Sequence, residues 1–177
     1  MNSSVIVNDV DKTSVDSLIK TLNSKDGLAR QHARHALVQI GEPALPALFK
    51  AFEKKEDIMH WEIAKALSQI GSPKAAEFLV NALEDKEFSI RWLAAEGLIH
   101  IGNNGVAPLL TALKERPDVV WLREGAHHIF HDLVSRKLVE DKTRELLTPL
   151  LDALNHIHPE VEVSSAAAKV LDLMKAE

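Results

Sequence analysis

Apolar residues recur along this chain at helical spacing, and one helical pattern is written three times. At 100° per residue, Ala29, Ala33, Leu37 and Ile40 share one side of a helix, as do Met59, Ile63, Leu67 and Ile70, and then Ile90, Ala94, Leu98 and Ile101. Each stretch closes on a glycine, Gly41, Gly71 and Gly102, at intervals of 30 and 31 residues. A glycine just past the last apolar position is a helix stop. A shorter apolar stripe precedes each copy: Leu18, Ile19 and Leu22, then Leu45, Leu48 and Phe52, then Leu79 and Leu83. A period near thirty made of two amphipathic helices predicts an α-solenoid, because one pair cannot bury its apolar faces alone and must stack on its neighbours.

Two further pairs follow. Val106, Leu109, Leu110 and Leu113 mark a first helix and about 118–134 a second, which lacks a closing glycine and runs into a charged connection at 135–144. Leu146, Leu147, Leu150, Leu151 and Leu154, then Val163 to Met174, mark the last and most divergent pair. A terminal repeat has one face without a neighbour, and Lys169, Asp172 and Lys175 suit a wettable cap. The repeats are expected at about 13–41, 42–71, 72–102, 103–134 and 142–177, as a single domain behind a polar arm at 1–12.

The run Ser89-Ile90-Arg91-Trp92-Leu93-Ala94-Ala95-Glu96-Gly97-Leu98, continuing to Ile101-Gly102, resembles a HEAT repeat of the short bacterial and archaeal type, the phycobilin-lyase HEAT-like repeat. The resemblance covers residues 13–134 well and the remainder loosely. It implies an all-α, right-handed superhelix of about five HEAT-like pairs, with the second helices lining the concave side. It says little about function, since such repeats serve in lyases, adaptors, regulators and enzyme subunits.

The face opposite the apolar sector can then be read as the floor of a groove. It carries Gln31, Trp61, Trp92 and Glu124 at one level, His35, Lys65, Glu96 and His128 one turn on, and Val38, Ser68, Ile99 and His131 beyond. Trp61 and Trp92 hold equivalent positions in successive repeats, and stacked helices lie about 8–10 Å apart, so the indoles are expected to be neighbours. Large aromatics facing water mark docking surfaces. The alternative is structural, each indole lying over the stem of Lys65 or Arg91. Arg30, Arg91 and Arg123, with His60 in the same series, read either as anion contacts or as a structural ladder; the resemblance implies the ladder, with Asp85 and Asp118 placed as partners.

Composition narrows the chemistry. Without cysteine there are no disulfides and no thiolate nucleophile or metal ligand, which fits the cytoplasm. No segment approaches the ~20 apolar residues of a membrane span, and the first residues do not read as a signal peptide. A net charge of −5 argues against nucleic acid as the partner. Nine histidines are many, and Glu124, His128 and His131 fall at i, i+4 and i+7, a spacing at which imidazole and carboxylate can share a metal. HEAT-like di-iron hydroxylases use His-Glu pairs at second-helix starts; here those positions read Gln31-His32, Trp61-Glu62, Trp92-Leu93 and Glu124-Gly125, so only Glu62 matches. HEAT-like DNA glycosylases carry tryptophans and arginines in a concave cleft, which Trp61, Trp92, Arg91 and Glu96 superficially match; Glu96 and Glu124 speak against a DNA groove. No phosphate loop or nucleophile elbow is present.

The reading is a scaffold or adaptor whose groove binds a segment of another protein through Trp61, Trp92, Lys65, Glu96, Arg91, Gln31, His35, Glu124, His128 and His131. No cofactor and no metal are expected, and the oligomeric state stays open. The alternative is a metal-binding or enzyme subunit, of lyase, hydroxylase or glycosylase kind, centred on His127, His128 and His131.

Overall fold

The computed structural model describes residues 14–53, 57–156 and 160–175. The expected arm at 1–12 lies outside them. Among the described residues every regular element is helical. The chain falls into two compact units, the first ending at Ser72 and the second beginning at Pro73.

The first unit holds α1 (residues 14–21), α2 (Gly27–Ile40), α3 (Leu45–Phe52) and α4 (Asp57–Ile70). The Asp26 carboxylate accepts the Leu28 N–H at 2.9 Å and starts α2, one of four amide donors a helix start leaves open. A 3-10 turn, Glu42–Ala44, leads into α3, with Pro43 and Pro46 at first-turn positions where no N–H is needed. α4 packs against both α2 and α3, and Leu22, Leu37, Leu48, Ile63 and Leu67 are fully enclosed. Ser72 donates its hydroxyl to Glu42 at 2.7 Å, tying the end of the unit to the turn before α3.

The second unit holds α5 (Ala76–Ala82), α6 (Phe88–Ile101), α7 (Asn103–Glu115), α8 (Val120–Ser135), α9 (Asp141–Leu154) and α10 (Glu160–Lys175). First helix lies on first helix, α5 against α7, and second on second, α6 against α8. Leu79, Leu83, Ile90, Leu98, Leu109, Leu110 and Phe130 fill the space between. Leu83, just past the end of α5, lies so close to α8 that a Cβ on Gly125 would come 3.0 Å from its side chain.

The last pair breaks the order. α9 packs beside α8 and α10 beside α7, so the first helix of this repeat continues the second-helix layer and the second helix the first-helix layer. The Ser164 hydroxyl near the start of α10 donates to the Lys114 carbonyl near the end of α7 at 3.0 Å, so α10 runs antiparallel to the helix it covers. The cause lies at the end of α8. Where glycine was missing, Lys137 adopts φ 55°, and Leu138 N–H reaches back to the Leu133 carbonyl at 2.9 Å in the Schellman pattern. The connection is thus only 136–140, shorter than the charged stretch expected from the sequence, and its Val139 is buried. The exposed faces of α9 and α10 are polar at Glu145, Asp152, Lys169, Asp172 and Lys175. Glu162 accepts from His156 across the α9–α10 turn, which holds the imidazole above its ordinary value. The pair therefore contributes at pH below the ordinary imidazole value, and its contribution is lost as pH rises through the raised one.

Gly102 carries two duties at the α6–α7 corner. Its φ of 66° and ψ of −133° belong to a region open essentially to glycine, and the Leu138 carbonyl would sit 3.1 Å from a Cβ built on it. Gly102→Ala is therefore expected to cost about 1–3 kcal/mol of stability in denaturant unfolding. Gly27→Ala is the control: its Cβ would meet only the Arg30 guanidinium at an ordinary 3.6 Å, and the midpoint should barely move.

Candidate functional site

In the second unit, apolar side chains that the core does not take up gather on α6 and α8. Phe88 is 68% exposed, Trp92 47%, Val120 52% and Trp121 43%. Their positions explain this. Ile90, Ala94, Leu98 and Ile101 turn the apolar sector of α6 inward, and Trp92 falls on the other side while Phe88 precedes the sector at the first turn. On α8 the buried set is Leu122, Ala126, Ile129, Phe130 and Leu133, which leaves Trp121 and His128 outside it.

Each of the three aromatic rings is held by a neighbour. Trp92 stacks on His128 with ring centroids 5.2 Å apart and planes 24° from parallel, and Phe88 lies 6.4 Å from Trp92. His128 Nε2 stands 3.9 Å from the Glu96 carboxylate, one turn along α6 from Trp92. Arg91 places its guanidinium 4.4 Å from the centre of Trp121 and 5.7 Å from that of Phe88. The result is an aromatic surface across two helices with its rings held by their neighbours.

The arginine series is structural, through main-chain oxygens. Arg30 donates to the Ser24 carbonyl at 2.8 Å, Arg91 to the Asp85 carbonyl at 2.8 Å, and Arg123 to the Pro117 carbonyl, each six residues back in the turn before its own helix. Arg91 therefore holds the carbonyl of residue 85, where the sequence suggested its carboxylate, and Arg123 holds residue 117, where the sequence suggested Asp118. The turn exposes carbonyls left open at a helix end, and a guanidinium satisfies them in repeats whose turn side chains differ. His60 meets the same position differently: buried, it packs its ring against Phe52 at 3.7 Å.

In the first unit Trp61 is exposed and lies under the Arg34 guanidinium, 5.8 Å from the ring centre. The neighbouring Glu62 is 5% exposed and accepts from both Arg30, at 3.0 Å, and Arg34. The one survivor of the His-Glu pattern is thus spent on an ion triad between α2 and α4. Gln31 and His35 are exposed on α2, and Lys65 is half-buried on α4.

Of the residues expected at the groove, the structure brings Trp92, Glu96 and His128 together, with Arg91 next to them on Trp121. Glu124 is exposed one turn before His128. His131 points to solvent near Asp132, 3.7 Å away, with His127 stacked on it at 6.3 Å. Ser68 and Ile99, read as floor residues, are buried. Among the described residues no group of three or more His, Asp or Glu side chains is arranged to hold a metal ion. Phe88, Val120 and Trp121 were not read from the sequence as part of the site. The available signal was that first turns of second helices carry apolar residues outside the core sector, as at Leu28, Ile58, Phe88 and Val120.

Paired helices stacked layer on layer, with an aromatic surface left on the second-helix side, define an all-helical repeat protein. Residues 45–128 match the family model for HEAT repeats, which supports a HEAT-repeat protein. The match begins at α3 and ends within α8, before the pair whose order is reversed. A search of curated proteins found no match to the chain. Among the described residues no helix is long and apolar enough to cross a membrane.

Proposed function

We propose that the chain is a protein-interaction module whose α6–α8 surface binds a segment of another protein. The observation that carries this is the exposure of Phe88, Trp92, Val120 and Trp121 side by side on two packed helices. Exposed apolar patches of this kind mark interaction sites, and aromatic anchors supply much of the binding energy where they occur. HEAT repeats commonly mediate protein–protein interaction, which supports the same reading. Glu96, Glu124, Arg91, His128 and His131 form the polar rim, and in the first unit Trp61, with Gln31, His35 and Lys65, offers a comparable anchor. The thirty-residue, glycine-closed period supports the short phycobilin-lyase-like repeat type.

Anchors already stacked on His128 and Arg91 lose little side-chain freedom on binding, which favours affinity from a modest area. The test is capture by the full-length protein, compared with a Trp92→Ala, Trp121→Ala variant whose circular dichroism and unfolding midpoint are checked first. Loss of the captured proteins with the fold intact is the expected result. Undiminished capture by the variant would remove this surface from the function.

A further inference from the structure

We infer that Trp92, Glu96 and Glu124 receive a basic side chain, lysine or arginine, from the bound protein segment. This rests on the interaction reading above and adds the chemistry of the partner. Three tryptophans are exposed in this chain, and two of them carry a cation of their own: Arg34 lies over Trp61 and Arg91 over Trp121. Among the described residues no lysine or arginine lies over Trp92, although it is the most exposed of the three. One side of its ring is stacked on His128.

The charges around it are just as uneven. Both local arginines are spent: Arg91 on the carbonyls of Asp85 and Lys86 and on Trp121, and Arg123 on the Pro117 carbonyl and, at 3.7 Å, on Glu160. The nearby lysine on the α6 approach, Lys86, sits 3.8 Å from Glu87. That leaves Glu96, 44% exposed, with only the His128 imidazole at 3.9 Å, and Glu124 with no ion pair among the described residues. Glu96 follows Trp92 by one turn of α6, and Glu124 occupies on α8 the repeat position that Trp92 occupies on α6. A half-exposed indole with one carboxylate a turn along its own helix and another at the equivalent position of the packed helix, neither paired with an arginine or lysine among the described residues, is complementary to a cation with an alkyl stem. The ring attracts the charge, the carboxylates accept its N–H donors, and the stem covers the apolar edge toward Phe88.

The test is a random-peptide phage library selected on the full-length protein, followed by binding of the enriched synthetic peptides to variants. The expected result is enrichment of segments with a lysine or arginine next to an apolar residue. Replacing that basic residue by norleucine, or the protein's residues by Glu96→Gln with Glu124→Gln, should each weaken binding about tenfold, with binding also falling as salt rises. Glu124 is exposed and the Glu96 side chain 44% exposed, and the circular dichroism of the double variant checks its fold. If enriched peptides lose binding to Trp92→Ala with Trp121→Ala yet bind the double glutamine variant as well as the parent, the basic-partner inference is wrong and the docking surface stands. If they bind all variants equally, or nothing is enriched, both readings fall.

Discussion

Glu62→Ala is expected to destabilise the first unit by about 3–5 kcal/mol, because removing the acceptor from a buried ion cluster leaves its cations uncompensated. Glu62 is the only carboxylate seen in the triad, its side chain 6% exposed, while those of Arg30 and Arg34 are 23% and 13% exposed. Arg30 retains the carbonyls of Ser24 and Lys25 when Glu62 is gone, so the larger part of the loss comes from Arg34, held between α2 and α4. Glu62→Gln keeps an acceptor of the same shape without the charge and should lose less. Unfolding in denaturant, followed by helical circular dichroism, reads both. A Glu62→Ala protein within about 1 kcal/mol of the parent would mean that the triad contributes no more than an exposed ion pair does.

The second large effect separates two residues of one helix. Leu98 is fully enclosed, and Leu98→Ala should cost about 2–5 kcal/mol, from lost burial and the cavity left behind. Trp92, two turns earlier, is 47% exposed, and Trp92→Ala should cost only about 1 kcal/mol, the worth of an aromatic stacking contact such as that with His128. The larger side chain is thus expected to matter less to stability than the smaller one. Acrylamide quenching of single-tryptophan variants provides an independent check, since Trp92 should be reached by an aqueous quencher. A shielded Trp92 whose alanine variant unfolds as early as Leu98→Ala would place the indole in the core.

Much of this was open to inspection in one dimension. The 3.6-residue period assigns Leu67 and Leu98 to the inside and Trp61 and Trp92 to the outside, because each residue's direction on a helix follows from its number alone. The glycines mark where the second helices stop for the same local reason, a backbone conformation at Gly41, Gly71 and Gly102 that other residues avoid. What the period could not supply were partners. Glu62 meets Arg34 and Arg30 at separations of 28 and 32 residues, and spacing alone gives no reason to choose its carboxylate over any other.

The same division runs through the site and the last repeat. The sequence by itself determined that the elements are paired helices and which residues form their apolar sectors, since these follow from local propensity and angular position, but not where α8 gives way to α9 or that Ser68 and Ile99 are buried on the opposite face. Only the tertiary structure decided that Trp92 leans on His128, that Arg91 grips main-chain carbonyls and covers Trp121, and that α10 returns to α7 while α9 stays beside α8. That return depends on how one short connection, turned by Lys137 and passing close to Gly102, aims the following helix. The hydrophobic period fixes which side of α9 and α10 is apolar but not which neighbouring helix that side meets. The packing of residues 136–140 against the α6–α7 corner makes that choice.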